Sequence, residues 1–338
     1  MRRLLALSLI ALASSPVFGQ SASPTVLEAV STPGEVDKTS QTEDVRFQAD
    51  DANRMTVPVQ LGGAETYRFL VDTGADRTAI SRELAAQLKL ESGPSATLHS
   101  VTGATAVATA TVPSLQLTRK SVRIIDAPLL ERAYMGADGI LGVDSLRSQR
   151  ILFDFDADTM SIVPSAAPEL AREPGTIVVT ATRRNGRLVL TRATANGRRV
   201  NVVLDTGSEI TIGNKALRQA LMGTRELTDS HRVEVHSVTG QKIDGDYMYI
   251  RKLEIGGVQL KDLAIIFADA HTFKKLGLRD KPALLLGMNA MRAFRKVSID
   301  FANRKLRVVL PEHTAVDTMV ASLPSGIRPI IGRVGTRN

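Results

Sequence analysis

The tripeptide Asp-Thr-Gly occurs twice in this 338-residue chain, as Asp72-Thr73-Gly74 and as Asp205-Thr206-Gly207, each closing an apolar run. Two carboxylates brought to one point cannot both ionise cheaply. They would share a proton, one acting as base and the other as acid. The flanking residues read Phe69-Leu-Val-Asp-Thr-Gly-Ala-Asp76 and Val202-Val-Leu-Asp-Thr-Gly-Ser-Glu209. Each run predicts a strand that ends in a tight loop, where glycine permits the sharp turn and bares N–H groups toward a carboxylate. The hydroxyls of Thr73 and Thr206 could lock the two loops together. Ser208, unlike Ala75 at the matching position, could hydrogen-bond its carboxylate, which would make Asp205 the more readily ionised member.

The elements around the two motifs repeat as well. Nine residues past each aspartate stands a helix N-cap candidate, Ser81 or Asn214, followed three and seven residues later by leucine: Leu84 and Leu88, then Leu217 and Leu221. That spacing puts the leucines on one helix face. His99-Ser-Val-Thr-Gly103 recurs as His236-Ser-Val-Thr-Gly240 between alternating residues, the pattern of a hairpin with glycine at its tip. Gly139-Ile-Leu-Gly142 has its partner in Leu284-Leu-Leu-Gly287, and each precedes a short helical stretch. Strands follow at Ile151–Phe155 and Val297–Phe301, then a turn and a closing strand ending at Pro164 or Pro311. Asp154 and Asp300, which also match, are expected to be structural. The chain therefore reads as two copies of one mainly β unit with short helices.

Laid out this way, the chain resembles the aspartic protease superfamily over roughly residues 52 to 165 and 176 to 311. The Leu-Val-Asp-Thr-Gly-Ala-Asp run is similar to retropepsins. Asp-Thr-Gly-Ser and Asp138-Gly-Ile-Leu-Gly142 look more like the pepsin side, and single-chain bacterial proteins with two retropepsin-like lobes resemble the whole. The resemblance implies an all-β, bilobal acid-protease fold with a pseudo-twofold axis. It implies that Asp72 and Asp205 are the catalytic pair, supported by Thr73, Gly74, Thr206, Gly207 and Ser208, and that the flap tips lie near Gly103 and Gly240. Substrate would lie extended beneath two flaps, next to Ala75, Asp76 and Glu209. Two departures stand out: neither flap motif holds a tyrosine, and Val143 and Met288 replace the arginine that retropepsins carry after the apolar pair. Peptide hydrolysis by a water activated between the aspartates is the expected activity, without metal or other cofactor. A non-catalytic peptide-binding or scaffold protein of the cell envelope is the alternative.

Composition and ends set the remaining expectations. Met1–Gly19 read as a secretory signal, with Arg2 and Arg3 before an apolar stretch from Leu4 to Ala13 that is too short to span a bilayer comfortably. Residues 20–50 read as a flexible leader, 51–165 and 176–311 as the two lobes, 166–175 as a linker with Pro168 and Pro174, and 312–338 as a tail in which Ile327–Ile331 could dock. Cysteine is absent, which rules out disulfides and a thiolate zinc site. Export of such a chain points to the periplasm or to secretion. The formal charge of +8 comes without a basic stripe interleaved with aromatics, so nucleic acid is not an expected partner. His99 and His236 are expected on the flap surface or in flap packing, and His231, His271 and His313 fit no metal-ligand spacing. A peptide or protein substrate is the expected partner, and a chain holding both halves needs no second copy.

Overall fold

Alternation of apolar and polar residues builds this molecule, and in the computed structural model it does so twice. The structure describes residues 43–46, 48–49, 54–117, 121–146, 148–169, 171–222, 231–311 and 328–329. Signal and leader residues 1–42, and all of the tail from 312 except 328–329, lie outside the described residues. All described residues belong to one compact unit.

The first lobe is an eight-stranded sheet and the second a nine-stranded one. In each, the strand leading to Asp-Thr-Gly lies parallel to the strand of the apolar pair: Val71 is in register with Leu141, and Leu204 with Leu286. Strands buried on both faces need continuous apolar runs, and Phe69-Leu-Val71 and Val202-Val-Leu204 supply them. The next short strands, Ala79–Ser81 and Thr211–Gly213, run antiparallel to the same apolar-pair strands.

Helices follow as the sequence suggests. Ser81 Oγ accepts from Leu84 N at 3.1 Å to cap Arg82–Gln87. Asn214 Oδ1 accepts from Leu217 N at 2.8 Å at the start of Lys215–Met222. Leu84, Leu217 and Leu221 are buried and Leu88 packs against the same core.

A six-stranded sheet joins the lobes. At its centre Gln149–Asp154 pairs antiparallel with Lys296–Asp300, setting Ile151 opposite Ile299 and Asp154 opposite Lys296. One apolar cluster runs through this region from Phe69 and Phe153 to Ile299 and Phe301. Burial of each such phenylalanine contributes about 2–3 kcal/mol. Asp154 and Asp300 hold the following turns: Asp154 Oδ1 accepts from Asp156 N and Ala157 N, and Asp300 Oδ1 from Asn303 N.

Two expectations about the chain's course need correction. Glu43–Arg46 and Gln48–Ala49, inside the stretch expected as a flexible leader, are strands; the first pairs with Thr159–Pro164 at the edge of the six-stranded sheet. The second lobe's closing strand ends at Val309, because Leu310 N turns away to Gly175 O. Within residues 166–175, Glu169 pairs with Lys305 and Arg307, and Glu173 with Arg295 and Lys296. In the tail, Arg328–Pro329 add to the edge strand His231–His236.

Candidate active site

The two Asp-Thr-Gly loops meet where the lobes face each other. Their backbones are fixed from below, since Asp72 N donates to Leu141 O at 3.0 Å and Asp205 N to Leu286 O at 3.1 Å. Thr73 N donates to Thr206 Oγ1 at 3.0 Å and Thr206 N to Thr73 Oγ1 at 3.1 Å, so each loop donates to the other's hydroxyl. Thr206 Oγ1 in turn donates to Val71 O at 2.7 Å. Both threonines are buried, where an unmade hydrogen bond would cost about 1–3 kcal/mol.

Above this clasp the carboxyls of Asp72 and Asp205 each lie against the other loop's glycine, close enough for the Asp72 charge to act on Asp205. Gly74 N donates to Asp72 Oδ1 at 2.7 Å, and the Gly207 N–H acts to lower the pKa of the Asp205 carboxyl. Burial pushes Asp205 up to about 7, and the neighbouring Asp72 charge adds to the rise. Burial also raises Asp72, against the opposing pull of Arg187, the Gly74 N–H and Arg54. The pair thus retains a proton well above the usual carboxylate range, as two acids held close together and away from bulk water must.

Ser208 does not do what its position suggests. Its hydroxyl donates to Ile210 O at 2.7 Å, and its single proton is then spent within the turn. The expected reason for Asp205 to ionise first is therefore absent.

Around the pair, Ala75 packs beside the first-lobe cluster of Leu130, Met135 and Ile140. Asp76 Oδ1 accepts from Arg187 Nε of the other lobe at 3.2 Å, with the arginine side chain only 11% exposed. Glu209, at the place matching Asp76, is half-buried. Gly103 and Gly240 lie at the tips of hairpins, where Ser100 N donates to Gly103 O and Gly240 N to Ser237 O. Thr102 Oγ1 of the first flap donates to Gln241 Oε1 of the second at 2.8 Å.

Several contributors were not singled out from the sequence. Arg54 and Arg187 each stand eighteen residues before their aspartate, a regularity that was available to find them. Thr78 and Thr211, each six residues after it, receive Gly142 N and Gly287 N on their hydroxyls and donate to Asp144 and Asn289. These two posts brace the loops from matching sides. Among the described residues no cluster of three or more His, Asp or Glu side chains is arranged to hold a metal ion.

Comparison with known families agrees with this architecture lobe by lobe. Residues 57–148 match the family described as "gag-polyprotein putative aspartyl protease", and residues 191–290 match the family described as "Aspartyl protease". The chain belongs to the retropepsin-like aspartic protease superfamily, with both lobes in one polypeptide. No curated protein matches it significantly.

Proposed function

We propose that this protein is an aspartic endopeptidase that cleaves peptide bonds with a water activated between Asp72 and Asp205. The close approach of the two carboxyls, each set against the other loop's glycine on loops clasped through Thr73 and Thr206, carries the reading. The ionised carboxylate takes a proton from the water, which attacks the peptide carbonyl, while the protonated partner donates to the carbonyl oxygen. As the C–N bond breaks, the proton taken from water passes to the leaving amine and a hydroxyl of the tetrahedral diol returns its proton to the other carboxylate, so the pair again holds one.

Substrate lies extended between the lobes under the two glycine-tipped hairpins, its backbone paired like an added strand and its side chains alternating into pockets. Asp76 and Glu209 flank the cleft, and Ala75 lines its apolar side. Met1–Gly19 direct export to the periplasm or the medium, where the mature chain works as a monomer. Among the described residues no helix is long and apolar enough to cross a membrane.

The test is cleavage of a denatured protein mixture by purified mature protein, with and without pepstatin, beside Asp72→Asn and Asp205→Asn. Cleavage that pepstatin and each substitution abolish supports the enzyme. Peptide binding without cleavage, indifferent to both substitutions, indicates a scaffold that kept the fold.

A further inference from the structure

Both flaps carry the pentapeptide His-Ser-Val-Thr-Gly, yet their tips are seated differently on the opposite lobe. The second flap rests on apolar ground. Val238 packs with the first-lobe cluster that includes Leu130 and Met135, and a Cβ at Gly240 would stand 2.5 Å from a ring carbon of Tyr134. Its histidine, His236, points to Glu234 on its own strand, with Nε2 to Oε2 at 3.6 Å.

The first flap has a matching apolar seat, Val101 against the second-lobe cluster of Ile210 and Phe273, and adds polar bonds that the second flap lacks at the matching histidine. His271 N, at the start of the second-lobe helix His271–Lys275, donates to Val101 O at 2.8 Å. The side chains meet too, with His99 Nδ1 and His271 Nε2 2.9 Å apart. Their ring planes differ by 6° and their centroids are 5.2 Å apart. Nitrogens that close at that centroid spacing require the rings to lie nearly in one plane, end to end, as an N–H···N bond demands. Such a bond needs one protonated and one bare nitrogen at the junction. It survives a first added proton and fails at the second, when two N–H groups and two positive charges face each other.

We propose that His271 is a positioning residue that latches the first flap over the cleft, and that protonation of both imidazoles releases this flap alone. The charged groups facing the junction are Lys275 on the helix and Asp76 on the first Asp-Thr-Gly loop, the latter paired with Arg187. Burial first, then Lys275 and His271, hold His99 below the usual histidine range, against the opposing pull of Asp76. Release therefore belongs to acid conditions.

The proposal rests on the protease reading only for what the flap covers; the latch can be tested in a chain that cleaves nothing. Hydrogen exchange of residues 98–104, 269–273 and 235–241 is followed in the full chain and in Asp72→Asn, with labelling times scaled for intrinsic exchange. Between about pH 7.5 and about pH 5, protection of the first two segments should fall about tenfold while the second flap stays level. His271→Gln, uncharged at both values, should abolish that difference. Equal responses from both flaps, or an unchanged response in His271→Gln, would overturn the latch. The expected pattern in a protein without cleavage would leave the latch standing and remove the protease reading.

Discussion

Gly207 lies directly against the carboxyl of Asp72: a first side-chain carbon at residue 207 would stand 2.3 Å from Asp72 Cγ. The reciprocal contact, from residue 74 to Asp205 Oδ1, would be 2.4 Å. Each loop thus uses its glycine as the floor for the other loop's acid. Gly207→Ala should displace Asp72 and cost about a hundredfold in kcat/KM, since small misplacement of a reacting group is that costly. Steady-state kinetics beside a circular dichroism melt checks this, the expected loss being in rate with the fold retained.

Replacing one acid of the pair should act on stability as well as on turnover. The native state holds its proton up to a higher pH than the unfolded chain, so native stability falls as pH rises from the ordinary aspartate range toward about 7. Asp205→Asn removes that loss. Above neutral pH it should be more stable than wild type, by about 4 kcal/mol, and below about pH 4 the difference should vanish. Urea unfolding at both ends of the range measures it.

Arg187 pulls both aspartates down in pKa while pairing with Asp76. Arg187→Met should therefore move the alkaline limb of the kcat/KM profile to higher pH, because the shared proton is held longer without the neighbouring cation. A profile whose alkaline limb stays in place would show that the guanidinium acts on Asp76 alone.

Ser208→Ala gives the opposite expectation. Its hydroxyl serves Ile210 O, so the substitution should cost about 1 kcal/mol of stability and leave both limbs of the pH profile unmoved. A shift of the acid limb toward neutral pH would show that the hydroxyl reaches the Asp205 carboxylate during catalysis.

Local pattern made much of this legible from sequence. The paired Asp-Thr-Gly runs, the caps Ser81 and Asn214 and the glycine-tipped hairpins depend on neighbours a few residues away, and all appear where spacing puts them. What was missed is nonlocal or depends on fine geometry. His99 meets His271 across 172 positions, and Arg187 meets Asp76 across 111. No periodicity encodes either pairing. The hydroxyl of Ser208 had two acceptors within reach of its residue type, and the turn's backbone decided between them. Glu43–Arg46 lacks an apolar run, and becomes a strand because Thr159–Pro164 offers an open edge. Arg54 and Arg187 could have been found by extending the repeat alignment upstream.

The central physical claim is that one proton is held jointly by Asp72 and Asp205. Carbon-13 NMR titration of aspartate-labelled protein, with the two carboxyl signals assigned through Asp72→Asn and Asp205→Asn, observes that proton directly. The expected result is that both signals respond together to a protonation step at about 7, and that either substitution removes this joint step. Two signals that titrate independently in the ordinary aspartate range, each indifferent to loss of the other acid, would contradict it.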